Sequence, residues 1–447
     1  MRKHDMYQDI ITDVSKQLAK RILAEEHDLA QRAPMIDQDI HAILQEVGRQ
    51  TTQHVLEETR DTIVSKKRAD GMSIHKNPTI QFTVIFGTIE LKSPYLWPGA
   101  PPSKPLIDDM HITHQGRSDT VKRALSDFGS DESFDAARCK VKEHYHIDVG
   151  TSTVARTTKD IALDASDYIA EKLSSGGEDS DEQGRSVHAP VVKGLVELDG
   201  SEARTAQMSV IEDSEERTPV YQNPKKKKLI RWRDLRIGFA RPLELKHEKI
   251  FVGKMDSYPE VISQLRCAAE LVGMTSETEV IGVADGGIGL SEELLRQFPT
   301  MQFILDKPHL RDHLYDTAEK LGIDKEARAT WVEPRLQDIS RGQVDEILTE
   351  LVLEHERTPC HRLKQFIGYL TRFKEAVSYE RFKEQGYPIG SGEIESAHKS
   401  IPQKRLKIPG ATWHPDSINP ILALRIVKAN DWWDDFWEQR TAHRLAA

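Results

Sequence analysis

Apolar residues recur at helical spacing through the first 65 positions, at Ile10, Val14, Leu18 and Ile22 and again at Ile40, Leu44 and Val47. That spacing predicts two or more helices. The pattern changes at 79–92, TIQFTVIFGTIELK, where β-branched and aromatic residues flank Gly87 and predict a hairpin, and a proline-rich passage, SPYLWPGAPPSKP, then breaks regularity. Helix signals return over 116–165. Ser118 and Ser133 are placed to cap two short helices, and Gly150 and Ser152 precede a third segment, TVARTTKDIA. The run SSGGEDSDEQG (174–184) has no apolar residue to bury and reads as an acidic flexible linker. Beyond it, strands alternate with helices. VKGLVELDG, TEVIGVAD and MQFILD read as strands ending at Asp199, Asp285 and Asp306, and DLRIGFARPLEL reads as a further strand. Residues 308–384 read as helix almost throughout, and a last short helix begins near Gly392 and carries Glu393 and Glu395.

This division predicts N-terminal helices over 1–70, a hairpin and proline-rich segment over 71–115, a helical domain over 116–172 and a linker over 173–190. An α/β core follows over 191–307 and 388–447, interrupted by a helical insertion at 308–387. The chain has 447 residues, enough for about three domains. It contains no apolar run long enough for a membrane span, so no membrane partner is expected. Three widely separated cysteines, Cys139, Cys267 and Cys360, exclude a disulfide scaffold and a zinc ribbon, and the N-terminus lacks a secretory h-region. The expected compartment is a reducing cytoplasm.

Net charge is -10, yet the cations are clustered. Residues 221–241 hold eight basic residues against Asp234, and residues 399–428 hold six against Asp416. Such islands suit phosphate contacts, which makes Lys225, Lys226, Lys227, Lys228, Arg231, Lys404, Arg405 and Lys407 candidate DNA ligands. A solvated charged face is the plainer alternative for the lysine run. Three short helices with a tight turn before the last outline a helix-turn-helix, on which Thr153, Arg156, Thr157 and Lys159 would face a DNA groove or its phosphates.

The order of the carboxylates is more informative than any one of them. A strand with Asp199, two further strands, a helix, a strand with Asp285, a helix, a strand, and finally a helix with Glu395 is the order of a ribonuclease H-like core. There the carboxylates converge, and converging carboxylates call for cations between them. Oxygen-only ligation favours two Mg²⁺ or Mn²⁺ ions, which support in-line displacement at phosphorus. Asp306 is the rival for the second acid and Glu393 for the third.

The segment YERFKEQGYPIGSGEIESAHKSIPQKRLKIPGATWHPDSINPILALRIVKANDWW resembles the C-terminal signature of bacterial insertion-sequence transposases of the ISKra type. VADGGIGLSEELLRQFPTMQFILDKPHL resembles the second-aspartate region of those enzymes and of their Mutator-like relatives. The resemblance spans about 190–437 and is fainter over 80–165. It implies a DDE transposase in which Asp199, Asp285 and Glu395 hold the metal ions. Asp306 and His309 would form a DxxH element, and Trp331 in the matching helical insertion is a candidate DNA contact, with a core role the plainer alternative. From their positions alone, His309 at a helix start and His398 three residues after Glu395 are candidates to act around the ligands, a satisfied core histidine being the alternative for His309. Residues 93–117 lack the cysteines that many relatives carry there.

The implied activity is metal-dependent cleavage at element ends and strand transfer of 3′-hydroxyls into target DNA, by a homo-oligomer assembled on double-stranded DNA at the nucleoid. Two alternatives share the same residues. One is a catalytically inactive DNA-binding derivative, and the other is a nuclease on the same fold.

Overall fold

The computed structural model describes residues 7–25, 29–98, 102–175, 191–210 and 226–446. It is a mixed α/β protein whose contacts divide it into two compact units, residues 1–124 with 138–149, and residues 125–137 with 150–447.

In the first unit, α1 (Gln8–Glu25) and the 34-residue α2 (Ile36–Ala69) account for the helical spacing near the N-terminus. Strands β1 (Ser73–Lys76), β2 (Thr79–Val84), β3 (Gly87–Lys92), β4 (Tyr95–Trp97) and β5 (Gly116–Arg117) follow. β2 and β3 form the expected hairpin, paired from Thr79↔Lys92 to Val84↔Gly87, and β5 runs parallel to β2. Gly87 has φ +122°, a conformation that a side chain would resist, and it closes the two-residue turn. Alternation along the hairpin puts Ile80, Phe82, Val84, Ile89 and Leu91 on one buried face with Leu106 and Ile112.

Helices α3 (Asp119–Asp131) and α4 (Phe134–Tyr145) each cross from one unit to the other, and α5 (Thr151–Ser175) lies in the second. The caps fall where the sequence puts them, since Ser118 Oγ accepts from Val121 N (3.4 Å) and Ser133 Oγ from Ala136 N (3.1 Å). α5 departs from the expected short helix. It runs for 25 residues, and Ile161, Ala162, Ala165, Tyr168, Ile169 and Leu173 join the core of the second unit. The contacts therefore do not divide the chain at the acidic segment. Residues 173–175 are the end of α5, and 176–190 lie outside the described residues.

The second unit is built on one five-stranded sheet of order β10-β9-β6-β7-β8. Its strands are β6 (Lys193–Val210), β7 (Lys226–Pro242), β8 (Ile250–Lys254), β9 (Glu279–Ala284) and β10 (Gln302–Leu305). The first three are antiparallel neighbours, whereas β9 lies parallel to β6 and β10 parallel to β9. Numbered by order along the chain, the strands lie 3-2-1-4-5 across the sheet. Helices α6 (Tyr258–Leu271) and α7 (Leu290–Gln297) make the crossovers. β6 does not end at Asp199 as expected. It continues with β7 to Val210↔Lys226 as a two-stranded ribbon.

Helices α8 (Lys307–Lys320), α9 (Arg328–Ser340), α10 (Val344–Arg357), α11 (His361–Arg372) and α12 (Tyr379–Glu384) form the expected helical insertion. The chain returns through α13 (Gly392–His398), α14 (Ile418–Ala429) and α15 (Trp433–Ala446). α14 is almost wholly buried and runs beside the edge strand β8. Asn430 accepts from Phe251 N (2.8 Å) and donates to Phe251 O (3.0 Å), while Asn419 accepts from Met255 N (2.7 Å). Two amide side chains thus satisfy backbone groups that an edge strand would otherwise leave open.

Candidate active site

Parallel register brings the aspartates together. β6 pairs with β9 from Lys193↔Glu279 to Glu197↔Val283, and the same offset sets Asp199 beside Asp285, one residue past the end of β9. β10 pairs Leu305 with Ala284, and Asp306 N donates to Ala284 O (2.9 Å), so Asp306 comes next in line. Three acids thus stand at one edge of three adjacent strands, the position at which parallel sheets present their sites.

Each acid is held differently. Asp199 Oδ1 accepts from its neighbour Gly200 N (2.6 Å), and His398 Nε2 donates to the Asp199 carbonyl (3.0 Å) while lying 3.7 Å from Oδ2. Burial above all raises the Asp199 carboxyl, and the charge of Asp285 pushes the same way, against the pull of His398, Gly200 and His309. His398 is buried, which lowers its pKa and keeps the ring neutral. Its Nδ1 has no partner among the described residues.

Asp285 opens a turn in which Gly287 N donates to Oδ1 (3.0 Å). A Cβ on Gly286 would fall 2.2 Å from the ring of Tyr369, so only glycine lets α11 pack this closely against the turn. Tyr258 and Tyr369 flank the same carboxylate, and both hydroxyls are raised first by burial and further by the charge of Asp285.

Asp306 is fully buried and both of its oxygens are occupied. Oδ1 accepts from Ser391 N (2.8 Å), and Oδ2 caps α8 through His309 N (3.0 Å) and binds His309 Nδ1 (2.7 Å). The bond to Asp306 raises His309 to about 9, with Asp285 and Asp199 adding to the shift. The DxxH element is therefore a helix cap that holds an imidazolium beside two carboxylates. Asp306 acts through His309 and through the loop before α13, and its oxygens are not open to a ligand.

The third acid differs from expectation in its surroundings. Glu393 is committed to a salt-bridge network, with Arg241 Nη2 at 2.8 Å from Oε1 and Lys249 Nζ at 2.6 Å from Oε2. Burial alone would raise its pKa, but these two cations outweigh burial and hold the carboxyl low. Glu395 is exposed on α13, one helical turn before His398. Among the described residues no three His, Cys, Asp or Glu side chains are gathered to hold one metal ion. The two aspartates fit a divalent cation on the chemistry of their oxygens and their mutual repulsion.

Sequence reading missed Glu197. It lies two residues before Asp199, hence on the same face of β6, and its Oε2 accepts from Ile394 N (2.9 Å) at the start of α13. Burial pushes its carboxyl up to about 8, and Oε1 has no partner among the described residues. The alternation in LVELDG was the available signal.

The candidate DNA ligands also separate. Lys227, Lys228 and Arg231 are exposed on the ribbon, as are Lys404 and Lys407 elsewhere. Lys225 lies outside the described residues, and for Lys226 only the backbone is described, as the first residue of β7. Arg405 is a correction, because it is 3% exposed. It donates to Gly129 O (3.0 Å) and lies 4.6 Å from the ring centres of both Phe134 and Trp413, so a surface contact with phosphate is excluded by burial. On α5, Arg156 is exposed and Thr153 and Lys159 are half-buried. Thr157 is buried and cannot face a groove. Trp331 is half-buried, donating to Glu354 Oε1 (3.2 Å) beneath Arg335.

Comparison with known proteins adds little. No known family profile matches the chain. A Streptococcus gallolyticus protein described as "UPF0236 protein in vanSb 3'region" is 26% identical over 160 residues, 34% of each chain. The match spans about a third of that relative's length. No helix among the described residues is long and apolar enough to cross a membrane.

Proposed function

We propose that the chain is a DNA transposase of the DDE type on a ribonuclease H-like core, with Asp199 and Asp285 as the paired metal ligands and Glu395 as the third acid. The observation that carries this reading is the register of β6 and β9, which sets two carboxylates side by side just past the end of their parallel pairing within a 3-2-1-4-5 sheet. Neighbouring carboxylates without a cation between them are costly, so the pair favours a divalent ion with oxygen preference such as Mg²⁺ or Mn²⁺. When bound, such ions supply Lewis-acid activation of the attacking oxygen and stabilise the leaving one.

The chain's own groups have separable tasks. Asp199 and Asp285 bind. The His309 imidazolium, fixed by Asp306, offers positive charge beside them where a scissile phosphate would gather negative charge. Glu197 and His398 fasten α13 across β6 and thereby set where Glu395 starts from. Arg241 and Lys249 keep Glu393 out of the site.

The test uses DNA carrying the sequences that flank the gene. Asp199→Asn and Asp285→Asn should retain binding and lose Mg²⁺-dependent nicking altogether. His309→Gln should lose roughly 10- to 100-fold, the size expected for an outer-shell partner. Full nicking by either aspartate variant would overturn the assignment.

A further inference from the structure

Beyond Leu235 the β6/β7 ribbon leaves the sheet, because β8 pairs only with 236–240 and β9 only with 193–197. From Glu202 to Val210 it extends about 30 Å at the usual rise per residue. Residues directly opposite in an antiparallel pair share a face, so Arg204 with Trp232, Ala206 with Ile230 and Met208 with Lys228 form one surface. The other face is closed near its base, where Ala203 and Thr205 are buried, Ala206 N donates to Trp413 O (2.8 Å) and Trp413 N donates to Arg204 O (3.1 Å).

The first face is open. Trp232 is 59% exposed, Met208 61% and Ile230 43%. On this face Arg204 and Lys228 form no ion pair among the described residues, Lys227 and Arg231 belonging to the opposite face by register, and Asp234 at the base is taken by Arg236 (3.4 Å). A second copy of the chain is a poor occupant. Edge-to-edge pairing of two such ribbons would set lysine and arginine against lysine and arginine. A duplex satisfies the cations but hides its base faces, which leaves an indole and two aliphatic side chains against phosphate.

Unpaired nucleotides satisfy both features. We infer that this face of the ribbon is a stacking platform for single-stranded or unpaired DNA, with Trp232 taking a base and Arg204, Lys228 and their neighbours following the backbone. Base faces are apolar and sequence-independent, and an aromatic ring set among cations is the chemistry that holds them. The inference rests on the nucleic-acid reading proposed above and adds the state of the strand that is gripped.

The experiment is fluorescence anisotropy of the full chain with a labelled oligo-dT of about 20 nucleotides and with a duplex of the same length, across a salt series. Trp232→Ala should weaken oligo-dT binding about tenfold with an unchanged salt slope, Trp232→Phe should restore most of it, and duplex affinity should stay within about twofold. Equal losses on both ligands, or no loss on oligo-dT, would overturn the platform. The two readings fail separately. Trp232-dependent binding without Mg²⁺-dependent nicking leaves the platform standing and removes the transposase, whereas nicking without Trp232 dependence does the reverse.

Discussion

Two stretches of the second unit look equally basic in sequence, the ribbon strand 226–236 and the segment 399–428, yet they meet opposite fates. On the ribbon, Lys227, Lys228 and Arg231 are exposed and form no ion pair among the described residues. In the later segment, Arg405 is stacked between Phe134 and Trp413, Arg425 pairs with Asp131, and Lys428 reaches Asp127 (2.5 Å) and Asp131 (3.3 Å). The acids that neutralise this second cluster come from α3, about 300 residues earlier in the chain. Counting charge within a window cannot see such partners. Half of these six basic residues are packing, and Lys399, Lys404 and Lys407 retain the surface character that the composition suggests.

The largest expected effect tests the buried side of this contrast. Arg405→Ala removes a desolvated cation and leaves Gly129 O without its donor, which should cost about 3 kcal/mol and several degrees of Tm, read by thermal unfolding. Its DNA salt slope should not change. A Tm equal to that of the parent protein would show that Arg405 is not structural.

The exposed side should behave inversely. Replacing Lys227, Lys228 and Arg231 together by Gln should leave Tm within about 1 °C and make the slope of log K against log salt shallower by up to about three units, one per lost phosphate contact. An unchanged slope would return these residues to the status of a solvated face.

The smallest effect concerns pH. His309 is raised to about 9 by Asp306, so the folded state holds its proton more tightly than the unfolded chain, whose histidine titrates near 6.5. The resulting stability is complete below about pH 6.5 and is lost as pH rises through 9. Glu197, raised to about 8, also disfavours the folded state as pH rises, but over a window that begins near 4.5. The Tm of His309→Gln should therefore fall less than that of the parent between pH 6.5 and 9. The difference is a few degrees at most, because the ring is partly solvated. Parallel profiles would mean that the ring is neutral in the fold.

How much of this was legible follows from where the information lies. The hairpin at 79–92, the helical insertion, the strands around Asp199, Asp285 and Asp306 and the helix with Glu395 follow from local apolar period. The continuation of β6 past Asp199 does not, since Ser201, Glu202 and Arg204 carry no apolar alternation and are held in a strand by pairing with β7. The extent of α5 was hidden because its buried residues face α14, which no local pattern announces. For the site, chain order pointed to the two neighbouring aspartates. It gave no hint that Asp306 is spent on capping α8 or that Glu395 stays at the surface.

The side chain of Asn430 carries one last consequence. A primary amide has the same pair of groups as a peptide unit, and here it stands in for a missing strand by giving to and taking from Phe251. At Phe251 the border of the sheet is thus closed by a single functional group, and that group depends on one hydrogen-bearing nitrogen. Exchanging the amide for a carboxylate of the same shape would turn the donor into an acceptor facing the Phe251 carbonyl. Repulsion would then replace the bond and reopen the border of the sheet to any passing strand.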